Sequence, residues 1–401
     1  MAVVSMLAVG CGSSKSSNSS TVGSTNSSSH SYTIGLLTDL TGITASSNKS
    51  SVQGVEGGIK LAKQEGYNLK YVVADTGSSP SGTLAAAQKL VDVDHVFAVL
   101  AVSTFTFAAA PFLTSHGIPV VGESADGPEW LTAKNMFSPF GPQDGAKVAT
   151  THGLILKRLG GTVVGSVGYA FASSANAARA FAKSAQDVGL RVGYLNTTFP
   201  LAGTNVEPVA FGMKSAGVNA FAAPLASNAT LGLLVALQQV GVNLKASILF
   251  TGYGGDLAQA GPGALHNEQG AYFEVPFEPV EMHTPATEQF TANMKAAGVT
   301  TDPTFSEYQG YTSVDLLVQG LKNAGSKPSQ ASLIAGLNGV KAYNAAGLLG
   351  THTVNMAART GVSAGVDNCI WVTKLVGSNF ELVPGMEPIC GTDTGQRVAS
   401  S

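Results

Sequence analysis

Short runs of Val, Ile and Leu alternate with helix-patterned segments through most of this 401-residue chain. "YTIGLLTDL" at 32–40, "LKYVVADT" at 69–76, "VFAVLAV" at 96–102 and "IPVVGES" at 118–124 read as strands. Helical patterns fall between them at 51–66, 81–94 and 105–116. In the second of these, Leu84, Ala87, Leu90 and Val91 share a face. Strands that are apolar on both sides are buried on both sides, as in parallel sheets covered by helices. The alternation then restarts. "TVVGSVGYA", "LRVGYLNTTF", "VNAFAAP" and "SILFTGY" read as strands, with helical patterns at 175–189, 205–216 and 229–240. "AYFEVPF" at 271–277 reads as chain leaving this second unit, and helices follow at 305–323 and 329–339. The fold class is α/β, with two doubly wound, Rossmann-like lobes.

Composition narrows the function. Only 12% of residues are charged and the net charge is -3, so there is no basic surplus for nucleic acid. Apart from the N-terminus, no apolar run reaches the roughly 18 residues that a membrane span needs. The three cysteines divide into a pair and a single residue. Cys369 and Cys390 bound "CIWVTKLVGSNFELVPGMEPIC", which reads as a strand, a Gly377-Ser378 turn and a second strand. A disulfide between them implies an oxidising compartment; two unrelated thiols are the alternative. Cys11 follows the apolar "MAVVSMLAVG" and precedes an almost pure Ser, Gly, Asn and Thr segment. Residues 1–10 read as the remnant of a signal peptide, and 11–31 as a flexible tether that buries no core. Ala8-Val9-Gly10-Cys11 resembles the bacterial lipobox. That implies lipidation of Cys11 and a protein anchored on the outer face of a cell membrane.

Several stretches, in this order, resemble the type I periplasmic binding proteins, specifically the Leu/Ile/Val-binding family of ABC importers. They are "IGLLTDLTG", "AAAQKLVD" with "VFAVLAV", and "AAAPFLTSHGIPVVG". The resemblance implies two lobes joined by three crossovers, with a small ligand clamped between them. With the restart after "MFSPFGPQDG", it predicts one lobe from 32–143 and 276–346. The other lobe comprises 144–275 and 347–392, followed by a tail at 393–401. The ligand is expected at the C-terminal ends of the strands.

Matching loops to the family's motifs gives the candidate ligand residues. Ser103 and Thr104 open a helix, where relatives hold a ligand carboxylate with a hydroxyl and free amides. A plain N-cap is the bland reading of Ser103. Ser124, Ala125 and Asp126 follow the next strand; Asp126 also suits a capping box with Glu129. Ser47 falls where relatives carry an aromatic residue. Ser173 aligns with a ligand-stacking tyrosine of relatives, with Tyr169 or Phe171 as substitutes. Ser227 and Asn228 follow another strand, and Asn228 equally suits a helix cap. Tyr253 stands where amino-acid binders place a glutamate for the α-ammonium. A buried ammonium without a carboxylate is costly. Either Asp126 or Asp256 supplies one, or the ligand is not an α-amino acid. The expected ligand is an amino acid, an amide or an aromatic or apolar acid. Branched-chain amino acids are expected to bind less well than a less cationic ligand stacked on Tyr253.

No metal-ligating or cofactor motif is present, and no enzyme is predicted. "GVSAG" at 361–365 has the Gly-x-Ser-x-Gly spacing, but no histidine follows His352. The expected partners are the small ligand, the lipid anchor and ABC permease subunits. A sensor domain of the same fold, reporting to a signalling partner, is the alternative.

Overall fold

The computed structural model describes residues 30–123, 127–203, 205–259 and 262–398. The predicted leader, Cys11 and the Ser-rich segment to residue 29 lie outside the described residues, as do Ser124, Ala125 and Asp126.

The first run of alternation forms a five-stranded parallel sheet of β1 (His30–Thr38), β2 (Tyr67–Asp75), β3 (Val99–Val102), β4 (Val120–Gly122) and β5 (Met136–Phe137). Its order is β2-β1-β3-β4-β5. A two-stranded ribbon pairs β6 (Lys147–Ala149) with the last strand of the chain. The second run forms β7 (Val163–Tyr169), β8 (Arg191–Phe199), β9 (Ala220–Ala223), β10 (Ala246–Leu249) and β11 (Tyr272–Val275). These five are parallel, and β12 (Cys369–Val376) and β13 (Asn379–Leu382) extend the sheet antiparallel. The order is β13-β12-β11-β10-β9-β7-β8. β14 (Ile389–Cys390) pairs with β12, and β15 (Asp393–Arg397) pairs with β6. Residues 393–397, expected as a tail, are therefore a strand. The expected second hairpin strand is interrupted, with β13 and β14 each pairing to β12.

After β11 the chain returns to the first lobe. The helices Pro285–Ala296 and Phe305–Asn323 both pack on the helix Ser51–Gln64. Phe305–Asn323 starts with a capping box in which Thr304 and Glu307 satisfy each other's end groups. Its contact with Ser51–Gln64 is backbone-close. A Cβ on Gly54 would lie 2.2 Å from the Glu307 carbonyl oxygen, and one on Gly310 2.5 Å from that of Ser51. Only glycine permits that approach. The chain then re-enters the second sheet at β12, so it passes between the lobes after β5, after β11 and before β12.

Cys369 and Cys390 are bonded, in register across β12 and β14, with their Cα atoms 4.0 Å apart. They close a loop with a sequence separation of 21. Constraining the unfolded chain by such a loop is worth about 3 kcal/mol. Cys369→Ala/Cys390→Ala is therefore expected to lose about that much stability in urea denaturation. Reductant should do the same to the parent and nothing to the variant. Equal stability of parent and variant would contradict this.

Candidate functional site

In each lobe, strand order reverses next to the first strand. The crevice opens between β1 and β3 in one lobe and between β7 and β9 in the other. Ligands of doubly wound sheets sit at such points. Both crevices open onto one cavity of about 220 Å³, lined by residues of both lobes. That suits a monocyclic or short-chain solute. The helices Ala45–Asn48 and Ser227–Gln239, one from each lobe, approach each other beside it.

The first-lobe wall is organised by Asp39, which is fully buried one residue past β1. Its Oδ1 accepts hydrogen bonds from Ser103 Oγ at 2.5 Å and from the Thr76 hydroxyl. Its Oδ2 accepts from Thr44 Oγ1 at 2.7 Å, Asn48 Nδ2 at 2.8 Å and the Thr104 amide at 3.2 Å. Thr44, Ser47, Asn48 and Thr104 face the cavity from this frame. Ser47 Oγ is buried without a hydrogen-bond partner.

The second-lobe wall is largely apolar. Tyr169 and Phe171 stack with centroids 5.7 Å apart, and Leu201, Leu225, Phe181 and Phe250 extend the surface. The Tyr169 hydroxyl accepts the Ala226 amide at 3.1 Å, tying the end of β7 to the loop after β9. Ser174 ties the same loops by accepting the Tyr169 amide and donating to the Pro224 carbonyl.

Three carboxyl groups reach this cavity. Burial pushes Glu123 up to about 7; a hydrogen bond with Gln309 opposes the shift and the Asp39 charge adds to it. Burial drives Asp256 well above the usual carboxyl range, with Glu307 adding and Lys49 opposing. Asp256 Oδ2 has no hydrogen-bond partner. Glu274 pairs with His152 Nε2 at 3.2 Å, beneath the rings of Phe181 and Phe250. Among the described lining residues none is Lys or Arg.

Of the residues singled out from sequence, Ser47, Thr104, Tyr169, Phe171 and Ser173 line the cavity, as does Asp256. Four others lie elsewhere. Ser103 is fully buried with its hydroxyl committed to Asp39. Asn228 is exposed and accepts the Ala229 amide, the local contact of a helix start. Ser227 Oγ is buried without a partner, and Ser227 does not line the cavity. Tyr253 is 1% exposed and packs beside Tyr308 and Phe380. Its hydroxyl donates to Glu281 at 2.7 Å and accepts the Val280 amide. It therefore offers no face to a ligand. It fastens the 252–256 loop to the crossover, a grip reinforced by the Gly255 amide on the Asp302 carbonyl at 2.9 Å. Gly254 sits at φ +67°, and a Cβ there would lie 2.0 Å from the Pro303 carbonyl oxygen.

Sequence reasoning missed Asp39, Glu123, His152 and Glu274. Asp39 and Glu274 carry a usable signal, a lone acid within or ending an apolar strand. His152, in the helix Thr151–Arg158, is buried, and its partner lies 122 residues away, so no local pattern marks it. The "GVSAG" segment runs as a bend into the turn Val366–Asn368 and β12, not from a strand into a helix. Ser363 lines the cavity and its hydroxyl points to Asn368.

Two α/β lobes, three crossovers and a cavity bordered by both switch points define a bilobal small-molecule-binding protein. The chain belongs to the periplasmic binding protein family, whose model matches residues 31–379. That membership places it outside the cytoplasm, and no helix among the described residues is long and apolar enough to cross a membrane. An ABC transporter solute-binding protein of R. palustris, solved with 4-hydroxybenzoate, is similar at 18% identity and a TM-score of 0.73. That match covers 91% of this chain and 99% of that one. LivJ of Streptococcus pneumoniae, solved with isoleucine, is similar at 16% identity and a TM-score of 0.72, covering 88% and 99%. A solute-binding protein of Rhodopseudomonas palustris BisB5, solved with 3,4-dihydroxybenzoic acid, is similar at 19% identity and a TM-score of 0.70, covering 91% and 99%. At these identities the likeness concerns the fold. No curated protein sequence matches the chain.

Proposed function

We propose that the protein is the solute-capturing lipoprotein of an ABC importer. It is tethered to the membrane through Cys11, closes its lobes on a small solute and delivers it to permease subunits. The observation that carries this reading is that one cavity is bordered by the switch points of both lobes. A clamp needs its ligand to touch both lobes, so that binding energy favours the closed form. Thr104 and Ser47 supply polar contacts from one side, and Tyr169, Phe171 and Ser173 receive the body of the solute from the other. Transport is favoured by the similar solved proteins, which are described as ABC transporter solute-binding proteins.

A thermal-shift screen across amino acids, amides, amines and aromatic acids tests the binding role. A ligand at 100 times its dissociation constant should add about 2.7 kcal/mol of stability. Tyr169→Ala and Phe171→Ala should abolish the shift. A panel with no stabilising compound would contradict the reading. The tether is tested by fractionation: Cys11→Ala should move the protein from the membrane to the soluble fraction.

A further inference from the structure

Resting on the solute-binding reading above, we infer that the cavity selects a solute carrying a cationic amine on an apolar or aromatic body, and no carboxylate. The first observation is that the anion position is already filled. Ser103 Oγ and the Thr104 amide, the groups that would hold a ligand carboxylate after β3, are both engaged by Asp39. A second carboxylate there would meet a buried charge of its own sign, without a cation to offset it.

The second observation is the polarity of the remaining lining. Glu123, Asp256 and Glu274 face the cavity, and none of the described lining residues is Lys or Arg. His152, the one basic side chain among the described lining residues, is engaged with Glu274. Lys49 acts on Asp256 but is itself exposed and does not line the cavity. Asp256 is 8% exposed, and its Oδ2 lacks any hydrogen-bond donor. A buried carboxyl oxygen left without a donor is costly, and an ammonium brings three donors. Burial, with the neighbouring Asp39 and Glu307 charges adding to it, raises the titration of Glu123 and Asp256, and a bound cation would oppose that shift. Tyr169 and Phe171 suit both an apolar body and a cation held against a ring face.

Calorimetry at neutral pH with three probes of similar shape tests this: 2-phenylethylamine, 2-phenylethanol and 3-phenylpropanoate. The amine should bind at least about tenfold more tightly than the alcohol, and the acid should not bind at millimolar concentration. Asp256→Asn and Glu123→Gln should each weaken amine binding about tenfold or more. Melting of each ligand-free variant checks its fold, and either variant suffices if the other is unstable. The inference is overturned if the alcohol or the acid equals the amine. It is also overturned if the amine fails to bind at millimolar concentration, or if folded variants bind it unchanged. A neutral or acidic hit in the wider solute screen would then leave the solute-binding reading standing. A wider screen with no hit would remove that reading as well.

Discussion

Asp39→Ala is expected to lower stability by more than about 4 kcal/mol and to abolish solute binding. Five donors converge on this fully buried carboxylate, from Thr44, Asn48, Thr76, Ser103 and the Thr104 amide. A buried donor left unpaired costs about 1–3 kcal/mol, and several would be orphaned together. Asp39→Asn keeps the size of the side chain but turns N–H groups toward other donors. It should fall between parent and alanine, with a loss of about 2–3 kcal/mol. Urea denaturation at neutral pH checks both. A loss below about 1 kcal/mol for alanine would mean that water or rearrangement replaces the carboxylate.

The fold was legible where burial imposes a period. The helix predicted at 305–323 is observed over Phe305–Asn323, and the long parallel strands stand where their Val, Ile and Leu runs are. Two-residue strands such as β5 and β14 carry too few side chains for any period. β15 is polar and mostly exposed, so its pairing with β6 left no hydrophobic trace. The discontinuous lobes came from family resemblance, because periodicity does not record where a helix docks.

The site was legible as loop positions after strands, but not as side-chain directions. Thr104 and Tyr253 both follow strands, yet only Thr104 faces the cavity. Gly252 and Gly254, at φ +98° and +67°, shape a turn that buries Tyr253 against Tyr308 and Phe380. The expectation that a less cationic ligand stacks on Tyr253 loses its basis with that placement. Asp256, the noted alternative, lines the cavity, and Glu123 and Glu274 add carboxyls that loop matching did not assign.

Glu268→Gln is expected to stabilise the protein at alkaline pH. Glu268 is 4% exposed, its Oε2 has no hydrogen-bond partner, and burial pushes it up to about 8. Because its folded value lies above its unfolded one, the folded state holds the proton more tightly. The stability this contributes is complete below the unfolded value near 4.5 and is lost as pH rises through about 8. The variant has no proton to lose. It should match the parent near pH 4 and exceed it by on the order of 3–4 kcal/mol near pH 9. Urea denaturation at the two pH values checks this; a constant difference between the proteins would contradict it.

The most direct test of the clamp and its charge selection is a crystal structure with the tightest-binding compound of the solute screen. The expected result is a closed protein with the compound between Thr104 and the Tyr169–Phe171 rings, its nitrogen within hydrogen-bond distance of Asp256 or Glu123. A compound bound outside this cavity, or a ligand carboxylate on Ser103 and Thr104 with Asp39 displaced, would contradict it.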